Sequence, residues 1–158
     1  MSLNAKCRKE MSRMASLELM GFDDLDQVFN KIADIPWDVT DSALQAMASV
    51  EKDKVKEQGE RAGIRDEESS VHILDKLKVN KSKKDSAGGH ADVTFSGTRT
   101  RGKGKKTRNA EIAFVNEFGK AGQAARPFVK NAVENFADEI TAPGEKVIGD
   151  WLENEWEK

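Results

Sequence analysis

Only one cysteine, Cys7, occurs in the 158 residues. The chain can therefore close no internal disulfide and cannot build a cysteine-rich metal site, which is compatible with a reducing, intracellular compartment. Histidine is almost as scarce. His72 and His90 are the only two, on segments that read as different elements. His90 and Asp92 fall on one face of an extended stretch, but one His with one Asp does not make a metal site. The serine-nucleophile elbow, the phosphate-binding glycine loop and the paired-histidine zinc helix are all missing from the sequence. Glu117 is the carboxylate that a search for acid–base chemistry would select, yet no second carboxylate or histidine is spaced to join it. Its expected role is structural, accepting backbone N–H bonds of the loop that follows or pairing with Arg126. No catalytic residue, cofactor or metal is expected, and the chain is not read as an enzyme. No apolar run approaches the ~18 residues of a membrane span. The basic N-terminus has no apolar stretch behind it, so neither a membrane segment nor a signal peptide is expected.

What is present is charge, unevenly placed. Hydrophobic residues make up 37% and charged residues 34%, a polar composition for one core and one that suits a subunit completing its burial against neighbours. Between Lys76 and Arg108 there are eleven Lys or Arg against Asp85 and Asp92, a net of +9, which leaves −11 for the rest of a chain whose total is −2. Six of these bases, Arg99, Arg101, Lys103, Lys105, Lys106 and Arg108, lie in a stretch from 98 to 108 without any apolar residue. Such a stretch cannot pack and reads as a flexible loop. It would attract phosphate without sequence preference. It has no aromatic on which a single-stranded base could stack. Its expected contact is an acidic neighbouring subunit or DNA.

Local patterns supply the elements. Leu25, Val28, Phe29 and Ile32 keep helical spacing and predict a helix over 24–33. Asp38 is a capping candidate for a second helix over 39–58, with the stripe Val39, Ala43, Leu44, Met47 and Val50. Beyond Val50 that helix reads as a solvated, charged extension. Alternation predicts strands at 16–20, 77–84, 90–97 and 109–114, the middle two forming an antiparallel hairpin about the Asp85–Gly89 turn. A third helix is expected over 127–157, interrupted across 141–144 by Pro143 and Gly144, with Phe128, Val133 and Phe136 packing on the stripe of the second helix. The fold class is α+β, a small antiparallel sheet packed by a long central helix and a long C-terminal helix. Residues 1–15 read as an arm or short helix, 16–142 as the core domain, and 143–158 as a helical extension. Trp151 and Trp156 in that extension are candidate interface anchors.

The densest stretch runs from 110 to 136. Large apolar residues at 114, 115 and 118 make one helical turn, against which Phe128 is expected to pack in the core. Gly119 can take positive φ at its end, and Pro127 suits the first turn of the next helix. Ala113, Glu117, Gly119, Pro127, Phe128 and Ala132 together resemble the motif of the small neck or tail-completion proteins of long-tailed bacteriophages and prophages. Lys120 stands where that family usually has Thr, and the Thr-Gly-x-Leu phrase usual after the long helix is absent from residues 63–74. The resemblance implies a structural virion protein without catalysis, a ring-forming subunit, a hexamer in expectation, that helps join tail to head. It would act in the host bacterial cytoplasm during assembly and then in the virion neck or tail. Implied partners are further copies of itself, neck and tail-tube proteins, and DNA passing through the channel. A nucleic-acid-binding accessory protein using the basic segment 76–108 is the alternative.

Overall fold

A 25-residue helix, α1 (Trp37–Arg61), organises everything from residue 36 onward. The structure is a computed structural model describing residue 30 and residues 34–64, 72–86, 88–101 and 104–157. The helix predicted over 24–33, the strand at 16–20 and the arm at 1–15 lie outside the described residues, apart from Asn30, which is helical and whose carbonyl accepts the N–H of Asp34.

Helix α1 begins two residues before its expected start. Pro36 precedes it, and Asp38 sits in the first turn instead of capping it. There its negative charge still favours the helix dipole. The helix ends in a left-handed turn at Gly63 (φ +66°), with Gly63 N–H bonded to Glu60 O and Ile64 N–H to Gly59 O. That pair of bonds satisfies the last carbonyls and folds the apolar Ile64 back into the core.

The second half of α1 corrects the sequence reading. It is not a solvated extension: Val55 is among the most buried side chains, and Gly59 is buried too. A Cβ on Gly59 would fall onto Leu74, so glycine there lets the 3-10 turn Ile73–Lys76 lie against the helix. The core gathers Val55, Ile64, Ile73, Leu74, Ile112, Ala113, Phe128 and Ala132, with Leu77, Phe95 and Val129 at its margin.

The expected hairpin exists, with an irregularity. Strand β1 (Leu77–Val79) pairs antiparallel with β4 (Val93–Phe95), and β2 (Lys83–Asp85) with β3 (Gly88–His90). Leu77 opposes Phe95 and Lys83 opposes His90, so the register shifts by one between the two ladders. An extra residue on the Lys81–Ser82 side accounts for the shift, a bulge that splits one long hairpin into two ladders. Gln45 of α1 covers the irregularity, its Nε2 donating to Asn80 O at 2.9 Å and to Ser82 Oγ at 2.8 Å. Gly89 lies against Trp37 and Leu44 at the other end of α1.

Two further segments differ from expectation. Residues 98–101 and 105–108 are paired strands and not loop, β5 (Thr98–Arg101) antiparallel to β6 (Lys105–Arg108). Backbone pairing needs no apolar side chains, and Thr98, Thr100 and Thr107 are β-branched residues suited to strands. Residues 109–114 form no strand; they open helix α2 (Asn109–Phe118) directly after β6. Asn109 holds that junction, its N–H bonded to Gly97 O and its Nδ2 to Ser96 O at 2.6 Å.

Two helices complete the unit, α3 (Phe128–Asn135) and α4 (Ala137–Trp156). The expected interruption at 141–144 does not occur. Pro143 lies inside a continuous α4, and the break falls instead at Phe136 (φ −127°, ψ 24°). Tertiary contacts fix both places. The missing side chain of Gly144 leaves room for Met47 of α1, and Lys54 of α1 sits 4.2 Å from the centre of the Phe136 ring while pairing with Glu139. Helix α4 therefore runs antiparallel along α1. Of the residues expected to meet the α1 stripe, Phe128 is buried, Phe136 half-buried and Val133 exposed. The architecture is α+β, small antiparallel ladders packed by a long central helix and a long C-terminal one. Among the described residues no helix is long and apolar enough to cross a membrane.

Glu51 of α1 has a pH consequence. Burial holds its carboxyl above the ordinary carboxylate range. The folded chain thus binds this proton more tightly than the unfolded chain, so its contribution to stability falls as pH rises through the raised pKa. Glu51→Gln should raise Tm slightly at pH 7, with the gain vanishing below about pH 4, where the unfolded carboxyl is protonated too. Thermal melts of both proteins at the two pH values test this.

Candidate functional site

The motif residues come together as a stapled turn between α2 and α3. Glu117 is buried, and its two carboxylate oxygens accept the N–H groups of Val129 and Lys130, each at 2.9 Å. These are donors at the start of α3 that have no partner inside their own helix, and the negative charge suits the positive end of that helix. Glu117 does accept backbone N–H bonds, but from the helix beyond the loop and not from the loop itself or from Arg126.

Arg126 pairs elsewhere. Its Nη2 donates to Asn116 Oδ1 at 2.8 Å and its Nη1 to Gly63 O at 3.1 Å, tying the turn to the end of α1. Asn116, which the sequence reading passed over, is the second staple. Its Oδ1 also accepts Gln123 Nε2, its Nδ2 donates to Ile112 O, and its backbone carbonyl accepts the Arg126 N–H at 2.7 Å. The signal for it was available: Ile112, Ala113, Asn116 and Glu117 keep the spacing of one helical face. Ala113 and Ala132 are buried where α2 and α3 pack into the core, Gly119 ends α2 at φ +76°, and Pro127 immediately precedes α3.

With that face turned inward, the two phenylalanines of α2 point outward. Phe114 and Phe118 are 63% and 67% exposed. Their rings pack on each other, centroids 4.7 Å apart and tilted by 45°. Their spacing predicts the core side of the turn; the structure makes them an exposed aromatic pair. Val133 of α3 and Trp156 near the end of α4 are exposed as well, and Trp151 is half-buried.

The basic residues sit apart from the stapled turn, on the β5–β6 hairpin just before α2. Lys105, Lys106 and Arg108 are exposed and Arg99 is half-buried; Arg101 lies at the end of β5, and Lys103 is outside the described residues. Among the described residues the strands form three two-stranded ladders, none hydrogen-bonded to another. His90 pairs with Asp85, Nδ1 to Oδ2 at 2.9 Å, and not with Asp92. Among the described residues no three His, Cys, Asp or Glu side chains gather as metal ligands would. No known protein family, curated protein or solved structure matches the chain.

Proposed function

We propose that this chain is a ring-forming structural subunit of the neck or tail-completion kind, one that helps join a phage tail to its head without catalysis. The observation that carries the reading is the Phe114–Phe118 pair. Two large aromatic rings are held in water by a helix whose other face is fully committed to the core, and surface aromatics of this kind mark protein interfaces. Among the described residues the two-stranded ladders leave edge N–H and C=O groups unpaired, which a neighbouring copy can cover. The stapled α2–α3 turn supplies rigidity to the presenting helix, so little ordering cost falls on association. The expected partners are further copies, six in a closed ring, and the neck and tail-tube proteins. The expected setting is the host bacterial cytoplasm during assembly and the virion afterwards.

Light scattering on the purified chain, alone and mixed with a tail-tube subunit, tests this. Wild type should reach a fixed multiple of 17.5 kDa alone, or such a multiple plus the partner's mass in the mixture. Phe114→Ser/Phe118→Ser should keep the melting temperature and lose the assembly. A chain that stays monomeric at every concentration and with every tail component would defeat the reading.

A further inference from the structure

We infer that the β5–β6 hairpin is a ribbon that binds the phosphate backbone of B-form duplex DNA without sequence preference. The register places Thr98 opposite Arg108, Arg99 opposite Thr107, Thr100 opposite Lys106 and Arg101 opposite Lys105. Residues directly opposite one another share a face of an antiparallel pair, and successive residues alternate between faces. Lys106 and Arg108 therefore lie on one face with two threonines, and Arg99 and Lys105 on the other. Both faces are basic, and neither holds an apolar residue. Asn109 and Gly97 anchor the foot of the ribbon through the bond from Asn109 N–H to Gly97 O. Among the described residues, no carboxylate pairs with Lys105, Lys106 or Arg108.

This chemistry selects between partners. A protein interface has a desolvated centre rich in aromatic and apolar anchors, and the ribbon has none. A phosphate backbone asks only for cations and hydroxyl or amide donors, which Lys, Arg and Thr supply in alternation. A single strand would need an aromatic platform, absent here. The groove of B-DNA admits a two-stranded ribbon, whereas the major groove of A-form RNA is too narrow for side chains to enter. The inference rests on the ribbon alone and does not require ring assembly.

The test is fluorescence anisotropy of a short mixed-sequence DNA duplex titrated with the full chain between 50 and 200 mM salt. Wild type should bind with a steep salt dependence. Lys105→Gln/Lys106→Gln/Arg108→Gln should flatten the slope of log K against log salt by about 2–3, roughly 0.9 for each phosphate no longer neutralised. Lys106→Gln alone, at an exposed position, should flatten it by about 0.9 and serves if the triple variant fails to fold. Lys83→Gln/Lys84→Gln on the neighbouring hairpin should leave the slope unchanged. The inference is overturned by an equal loss in that control, by equal affinity for an RNA duplex, or by absence of DNA binding at 50 mM salt. Ribbon-dependent self-association without DNA binding would also overturn it, in favour of an acidic face on a second copy. Because scattering reads assembly and anisotropy reads DNA, failure here leaves the ring proposal standing, and the reverse.

Discussion

Phe128→Ala should cost about 3–5 kcal/mol in a urea melt, the range for emptying an aromatic site in a core that cannot collapse. Phe128 has no solvent exposure. Its ring meets Phe95 edge-on, centroids 6.0 Å apart at 74°, an arrangement that adds about 0.5–1.5 kcal/mol to simple burial. It belongs to the cluster that includes Val55 of α1, Leu74 of the 3-10 turn and Ile112 of α2. The side chain thus joins the long helix, the hairpin and the α2–α3 turn at once. It does so from the inner side of α2, away from the Phe114 and Phe118 rings against which the sequence had set it. A measured loss under about 1 kcal/mol would place Phe128 at the periphery.

Gly119→Ala should cost on the order of 3 kcal/mol, although it adds a single methyl group. Gly119 sits at φ +76° and ψ −179°, a region of backbone space occupied almost solely by glycine. An added Cβ would also stand 2.8 Å from Ala125 N and 2.9 Å from Gln123 O. Those are backbone atoms, and they belong to the tight loop in which Lys120 and Gln123 bond each other. Relief would require opening the loop and drawing Glu117 away from the first turn of α3. Gly122→Ala is the control. Its φ is +80°, but nothing lies within 4 Å of the added carbon, so only the left-handed penalty of about 1 kcal/mol remains. Equal losses at the two glycines would show that crowding at Gly119 contributes nothing. Denaturant melts of both variants decide the point.

Local signals were enough for whatever depends on neighbours in the chain. The apolar spacing of α1, the turn chemistry around Asp85–Gly89, the Gly119 stop and the Pro127 restart all act within a few residues, and the α+β class followed from them. That Glu117 accepts backbone N–H groups was legible from its place before the Gly119 turn; that they are those of Val129 and Lys130, beyond the loop, was not. Tertiary structure decided the rest. Val55 is one apolar residue among lysines and glutamates, and only the approach of Leu74 across Gly59 makes it core. Pro143 lacks an N–H and should interrupt a helix, yet α4 runs through it because Gly144 is packed on Met47, and the break moves to Phe136 beside Lys54. Residues 98–108 have no apolar content, but pairing across a hairpin is a property of two backbones and leaves no hydrophobic trace. Helix α2 carries two candidate inner faces, one with Phe114 and Phe118 and one with Ile112, Ala113, Asn116 and Glu117. The polar one turned inward because Arg126, Gln123 and the N–H groups of α3 were there to satisfy it, and that choice left the aromatic pair in solvent.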